Sequence, residues 1–288
     1  MPAPLLAVDA PSMLYRAFYA LPDSIKGADG KPVNALLGTA NLVLAEIETH
    51  APRAVAICFG AEAAAYRTEL LGSYHADRPE MPEGLVGQWE DADAFFSAFG
   101  WTVASDDRLE ADDLLGSLAR LEEEAGGEAL LLTGDRDMYQ CATKAVKVLY
   151  VRTGKRGAER VGPGEVRTKY GIGPELVPDF IALRGDPSDG IPGAKGVGEK
   201  TAAELLREHG SLEALLDNAL KITRPKLRTT LVDSREQLLE FKDIATLRKA
   251  RVKRPKDRET DWAGASKAAA ERGMNRLGER LAKIGDER

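Results

Sequence analysis

Apolar residues fall into short continuous runs, separated by stretches with helical spacing. LLAVD (Leu5–Asp9), AVAICF (Ala54–Phe59), ALLLT (Ala129–Thr133) and VKVLYV (Val146–Val151) are such runs. Their length suits strands buried on both faces, as in a parallel sheet. Trp101–Ser105 is a further expected strand. Between the runs, Ala35–Ile47 sets Leu36, Leu37, Ala40, Val43, Leu44 and Ile47 on one helical stripe. Leu85–Phe99 is also helical, and Ala111–Glu124 carries Leu114, Leu115, Leu118 and Leu121 on one face. Strands alternating with helices predict an α/β fold, a mostly parallel central sheet with helices on both faces.

Two interruptions divide this pattern. Gly60–Pro82 is long and polar and carries Tyr66, Arg67, Tyr74, His75, Arg78 and Pro79. Insertions of that length in a compact unit tend to be functional or mobile. After Val161, short helices (Val177–Leu183, Thr201–Glu208, Leu212–Leu216) alternate with Gly and Pro. The expected organisation is an α/β unit over 1–161, a helical unit over 162–250 and a polar, Ala-rich extension over 251–288. The extension has only a weak helical pattern, and its role is not legible.

With 43% hydrophobic and 30% charged residues, the composition is that of an ordinary globular protein. No apolar run is long enough for a membrane helix. MPAPLLAVDA lacks the basic and apolar regions of a secretory signal. Cys58 and Cys141 are too few for a disulfide framework. A cytoplasmic location is expected. The net charge of −6 argues against a polyanionic partner, but the charge is unevenly spread. Asp77–Asp137 holds 17 acidic and 4 basic residues, whereas Lys221–Arg258 holds 13 basic and 5 acidic. That polarity suggests a cation site and a separate surface for polyanions.

The acidic residues fall at telling places. Asp9 ends the first strand, and Asp135 and Asp137 follow ALLLT. Glu110, Asp112 and Asp113 open a helix just after the Trp101 strand. In open parallel sheets, sites form at the carboxyl ends of strands, so these groups should converge. Asp186 and Asp189 are a further pair, three apart. Any one of these is ordinarily a turn residue or helix cap. Four groups at convergent places point to a hard cation, Mg²⁺ or Mn²⁺. No CxxC or HExxH spacing suggests zinc.

Ile191–Thr201, IPGAKGVGEKT, is a Gly-rich turn running into a helix. Its amides, with Lys195 and Lys200, can bind phosphate in a helix–hairpin–helix manner that contacts the backbone and not the bases. The GxxxxGK[ST] spacing of a nucleotide-binding loop is not met.

Taken together, the chain resembles the 5′→3′ exonuclease and flap endonuclease family. The stretches that carry the resemblance are LLAVDAPSMLYRAFYALP, AAYRTELLGSYHADRPEMPEGL, RLEADDLLGSLA, LLLTGDRDMYQ and ALRGDPSDGIPGAKGVGEKTAAELLREHGSLEALL. The resemblance implies a two-metal-ion 5′ nuclease acting on DNA with free 5′ ends, flaps or junctions. By it, Asp9, Glu110, Asp112 and Asp113 serve one metal site, and Asp135, Asp137, Asp186 and Asp189 a second. Tyr15 and Arg16 lie beside the cleft. Tyr66–Pro82 forms a mobile arch in which Arg78, Arg67, His75 and Tyr74 attend the scissile phosphate. Gly193–Thr201, with Lys195, Gly196, Gly198, Lys200 and Thr201, grips duplex DNA and holds a K⁺ ion on its carbonyls.

Three departures stand against the family pattern: Phe59–Gly60 for Phe-Asp, Tyr74–His75 for Tyr-Lys, and Ser188–Asp189–Gly190 for Ser-Asp-Asn. The first removes a carboxylate. It predicts a raised Mg²⁺ requirement, better rescue by Mn²⁺, and a remedy in Gly60→Asp. A junction-binding protein without nuclease activity and an acidic-cluster ribonuclease remain the alternatives.

Overall fold

The computed structural model describes residues 3–152 and 157–287. The order is β1 (Leu5–Asp9), α1 (Ala10–Ala20), α2 (Asn34–His50), β2 (Ala54–Gly60), α3 (Ala65–Leu70), α4 (Glu83–Ser97), β3 (Thr102–Asp106), α5 (Ala111–Glu124), β4 (Ala129–Thr133), β5 (Val146–Val151) and β6 (Ala158–Val161). Helices α6 (Pro163–Tyr170), α7 (Val177–Arg184), α8 (Glu199–His209), α9 (Leu212–Asp217), α10 (Pro225–Asp233) and α11 (Arg235–Ala245) follow, then α12 (Trp262–Glu271) and α13 (Asn275–Asp286).

The sheet runs β3-β2-β1-β4-β5-β6, parallel except for β6. Side chains alternate between its two faces. Leu5, Ala7, Ala56, Leu131 and Val148 join a core that continues into the helical unit as far as Phe241 and Ile244. Leu6, Val8, Ile57, Leu130 and Leu132 join the core on the other face, with α2 and α4 residues. Chain order along the sheet reverses between β1 and β4, so a crevice opens at their carboxyl ends. Asp9 and the segment after Thr133 lie there.

Three features differ from the sequence expectation. Helix α1 begins at once after β1, because Asp9 caps it and Pro11 sits in its first turn. Strand β6 was not expected, since AERV buries only Val161. The extension over 251–288 is no appendage. Helices α12 and α13 return to the α/β unit and place Ala265, Ala269, Met274, Leu277 and Leu281 in its second core. The lead-in strap is pinned by Glu122, wholly buried, which takes hydrogen bonds from both Arg53 and Arg254. Among the described residues, no helix is long and apolar enough to cross a membrane.

Candidate metal centre and nucleic-acid interface

Asp9 is 4% exposed and bonded on both oxygens. Oδ1 accepts the Ser12 N–H at 3.0 Å, and Oδ2 accepts the Thr133 hydroxyl at 2.7 Å. The Thr133 oxygen in turn accepts the Asp135 N–H at 3.0 Å, and Asp135 Oδ1 accepts the Asp137 N–H at 2.9 Å. One hydroxyl therefore ties the ends of β1 and β4 together. The Thr of TGDRD was the sequence signal for it. Asp112, in the first turn of α5, faces the same cavity of about 630 Å³ as Asp9, Gly60, Arg78, Asp135 and Asp189.

These carboxylates repel. Burial, then Asp189, pushes the Asp135 carboxyl from 3.8 up to about 7. Burial, then Asp9 and Asp135, holds Asp112 well above the carboxylate range, and burial with Asp135, Asp189 and Asp186 does the same to Asp137. Asp9 is raised by burial, against the Thr133 and Ser12 hydrogen bonds. Clustered charge of this kind calls for a cation. The donors are hard oxygens, which fit Mg²⁺ or Mn²⁺. Among the described residues, no three acidic, His or Cys side chains already stand close enough to hold one ion.

Not every expected ligand faces the cavity. Asp113 is fully buried and turned away from it. It accepts the Glu110 N–H at 3.2 Å and the Arg248 N–H at 2.6 Å, so it caps α5 and anchors the chain after α11. This removes Asp113 from the candidate ligands. Glu110 borders the cavity with both oxygens engaged: Oε1 by the Ala64 N–H at 2.9 Å, Oε2 by the Tyr74 hydroxyl at 3.1 Å and Arg67 at 2.7 Å.

Arg67 and Tyr74 are corrected likewise. Each is only 4% exposed and engaged with Glu110, so both act in the structure as supports of Glu110. Arg67 donates to the Ile244 carbonyl at 3.1 Å and to the Tyr74 oxygen at 3.2 Å, while pairing with Glu110. It is a buried strut joining α3, α5 and α11. Arg67→Lys keeps the charge but loses the forked donors, and is expected to cost about 2 kcal/mol. A denaturant titration of the two proteins checks it; equal stability would remove the strut role.

The segment expected as a mobile arch is held at several points. Beyond Arg67 and Tyr74, the His75 N–H donates to the Asp189 carbonyl. His75 Nε2 lies 3.1 Å from Asp189 Oδ1 and Nδ1 3.0 Å from the Glu62 carbonyl. Both neighbours are acceptors, so the ring is held from both sides. Arg78 is different: its side chain is 43% exposed, 3.5 Å from Asp189, and open to the cavity. Tyr15 lines that cavity too, and Arg16 lies near Asp9.

The departures at Gly60 and Gly190 have steric causes. A Cβ on Gly60 would lie 2.5 Å from both Leu109 O and Glu110 C, and closer still to Ala111 N. A side chain there would force these backbone atoms to shift, so Gly60→Asp is expected to strain the entry to α5 instead of supplying a ligand. A Cβ on Gly190, at φ +73°, would lie 2.5 Å from Ser73 O.

Asp186 and Asp189 belong to the turn that leads into the clamp. Asp186 pairs with Arg184 at 2.9 Å, a partner that the sequence did not suggest. An antiparallel bridge between Asp186 and Ile191 fixes the clamp beside this pair. Gly193 (φ +71°) and Gly196 (φ +80°) need glycine, and a Cβ on Gly193 would meet Arg184 C at 2.6 Å. Gly198 does not. It is the N-cap of α8 at φ −97° with open space around it, so Gly198→Ala would bring no backbone strain. Lys195 and Lys200 are exposed, and Thr201 lies in the first turn of α8.

Residues 4–171 match the family model for the 5′-3′ exonuclease N-terminal resolvase-like domain, and residues 172–263 match that for its C-terminal SAM fold. A 5′-3′ exonuclease of Mycobacterium tuberculosis is 37% identical over 81% of this chain and 80% of its own. DNA polymerase I of Mycobacterium bovis is 41% identical over 74% of this chain but only 24% of its own. The chain thus spans about a quarter of the length of the polymerase relatives. Among solved structures, a bacteriophage T5 flap endonuclease complex with DNA and metal ions shares the fold, with TM-score 0.72, 17% identity and coverage of 98% and 99% of the two chains. The catalytic core of Rad2 with DNA substrate gives 0.64 at 14% identity over 97% and 91%. With both halves of the chain matched in order, and a relative aligned over most of its length, the chain belongs to the 5′-3′ exonuclease family.

Proposed function

We propose that the chain is a divalent-metal-dependent 5′ nuclease hydrolysing DNA near free 5′ ends, flaps or junctions in the cytoplasm. One observation carries the reading: Asp9, Asp112, Asp135 and Asp189, from separate elements, line one cavity at the sheet's switch point, where burial and then mutual repulsion raise Asp112 and Asp135. Asp9, Asp112, Asp135, Asp137, Asp186 and Asp189 would hold Mg²⁺ or Mn²⁺, which would offset charge on the attacking and leaving oxygens. Arg78 pairs with the scissile phosphate from the arch side. Water adds to phosphorus and the bond to the 3′ oxygen breaks, leaving a 5′-phosphate and a 3′-hydroxyl. Tyr15 and Arg16 line the approach. Lys195, Lys200, Thr201 and the glycines of the clamp grip the duplex backbone, with K⁺ on the clamp carbonyls.

Incubating a 5′-flap duplex and its RNA counterpart with Mg²⁺ or Mn²⁺ tests this. Cleavage of the DNA flap supports it. Binding without cutting supports the junction-binding alternative, to which the engaged oxygens of Glu110 lend weight. Preferential RNA cleavage would sink the DNA reading.

The site also implies a pH dependence. The Asp135 carboxyl is raised to about 7, so its contribution to stability is present below pH ~4 and lost as pH rises through 7. The cation-free protein is expected to melt lower at pH 8 than at pH 6. Mg²⁺ competes with these protons and should raise the Tm by ~5 °C or more at pH 8, and by less at pH 6. Equal Mg²⁺ shifts at both pH values would refute proton competition.

A further inference from the structure

Near the carboxylates and the clamp, a buried layer of aromatic rings carries cations at its edge. Tyr139 follows Asp137 in a short 3-10 turn, Tyr150 is in β5, Tyr170 ends α6 and Phe180 is in α7. Their centroids are 5.8 Å apart for Tyr139–Tyr150, 6.0 Å for Tyr139–Tyr170 and 5.0 Å for Tyr170–Phe180. The Lys169 ammonium sits 5.4, 5.6 and 5.9 Å from the rings of Tyr139, Tyr150 and Tyr170. Arg136 lies 5.5 Å from the Tyr150 ring, and Arg184 lies 5.2 Å from Phe180.

Arg184 is paired with Asp186. Among the described residues, neither Arg136 nor Lys169 has a carboxylate within ion-pair distance, although Glu159 and Glu199 lie near enough to act on Lys169 through space. Burial, then Arg136, lowers the Lys169 pKa, and Arg152 adds to the repulsion. Cation–π contact holds the two charges in place but does not neutralise them. Arg136 is exposed and Lys169 half-exposed, so an incoming anion can reach both.

The layer joins two parts of the proposed interface. Arg136 stands between Asp135 and Asp137, and Tyr170 lies within electrostatic reach of Asp137 on one side and Glu199, at the start of α8, on the other. A DNA backbone spanning the clamp and the carboxylates would pass near the Arg136 and Lys169 charges at the layer's edge. We propose that Arg136 and Lys169 form a phosphate-binding step that takes the backbone of duplex DNA between the clamp and the metal centre. The inference rests on the DNA nuclease reading above.

Fluorescence anisotropy with a labelled 5′-flap duplex in EDTA, from 50 to 200 mM NaCl, tests it. Arg136→Ala and Lys169→Gln should each raise Kd roughly fivefold and reduce the slope of log Kd against log salt by about one. Lys169→Arg should restore both, which a merely structural loss would not do. Melting curves establish that the variants fold. If both variants keep wild-type Kd and slope while Lys200→Ala weakens binding, this inference fails and the nuclease reading stands. If wild type does not bind the duplex at all, the reading falls and the inference with it. Displacement of DNA by inorganic phosphate beyond matched chloride, abolished in Lys169→Gln, would mark a free-anion site and overturn the duplex assignment.

Discussion

Asp135→Ala is expected to reduce flap cleavage at least ~10³-fold while flap-duplex affinity changes by no more than about twofold. Burial, then Asp189, Asp9 and Asp186, raises the Asp135 carboxyl, so it lies within reach of both halves of the cluster. Removing it would remove the proposed ligand common to both, whereas the clamp is left untouched. The same change should raise the Tm of the cation-free protein at pH 8, because a buried repelling charge is gone. A dead enzyme that is also less stable would indicate misfolding at the β4 exit. Near-wild-type single-turnover rates at saturating Mg²⁺ would overturn the ligand assignment.

Gly60→Asp should lose about 4 kcal/mol or more of stability, with cleavage lost as well. Its Cβ would press on backbone atoms of Leu109, Glu110 and Ala111, which cannot move aside as a side-chain tip could. Those residues open α5 and carry Glu110 and Asp112 into the site. Thermal melting and a Mg²⁺ titration of cleavage check this together. A variant with unchanged Tm that cleaves at lower Mg²⁺ would reinstate the missing-ligand explanation.

Strands β1, β4 and β5 were legible with their boundaries, since continuous apolar runs admit few other structures. Convergence of Asp9 with Asp135 was also legible, because strand ends and chain order place them at one crevice. What each carboxylate does there was not. Asp112 and Asp113 are adjacent in sequence, yet one faces the cavity and the other caps the helix; a turn of about 100° per residue separates them. Arg67 read as a phosphate ligand because its partner Ile244 is far away in sequence. Gly60 and Gly190 read as missing functional groups. They are points where two backbones touch, and such contacts leave no mark on local pattern. Helix α12 was obscured because Ala, which buries little surface per residue, supplies its inner face.

Helices α12 and α13 bear on synthesis. They complete a core whose other walls are β1, α2 and α4, so residues more than two hundred positions apart must meet before that face is dry. During translation the sheet can pair long before these helices leave the ribosome. Until then the surface of α4 that α12 covers stays open to water or a chaperone. The two family units divide at residue 171, but the folding unit does not: the α/β layer made first is sealed last, by chain that arrives after the helical unit. A ribosome stalled near residue 250 would therefore hold a sheet already faced by α1, α2 and α4 but without the packing that α12 adds against α4.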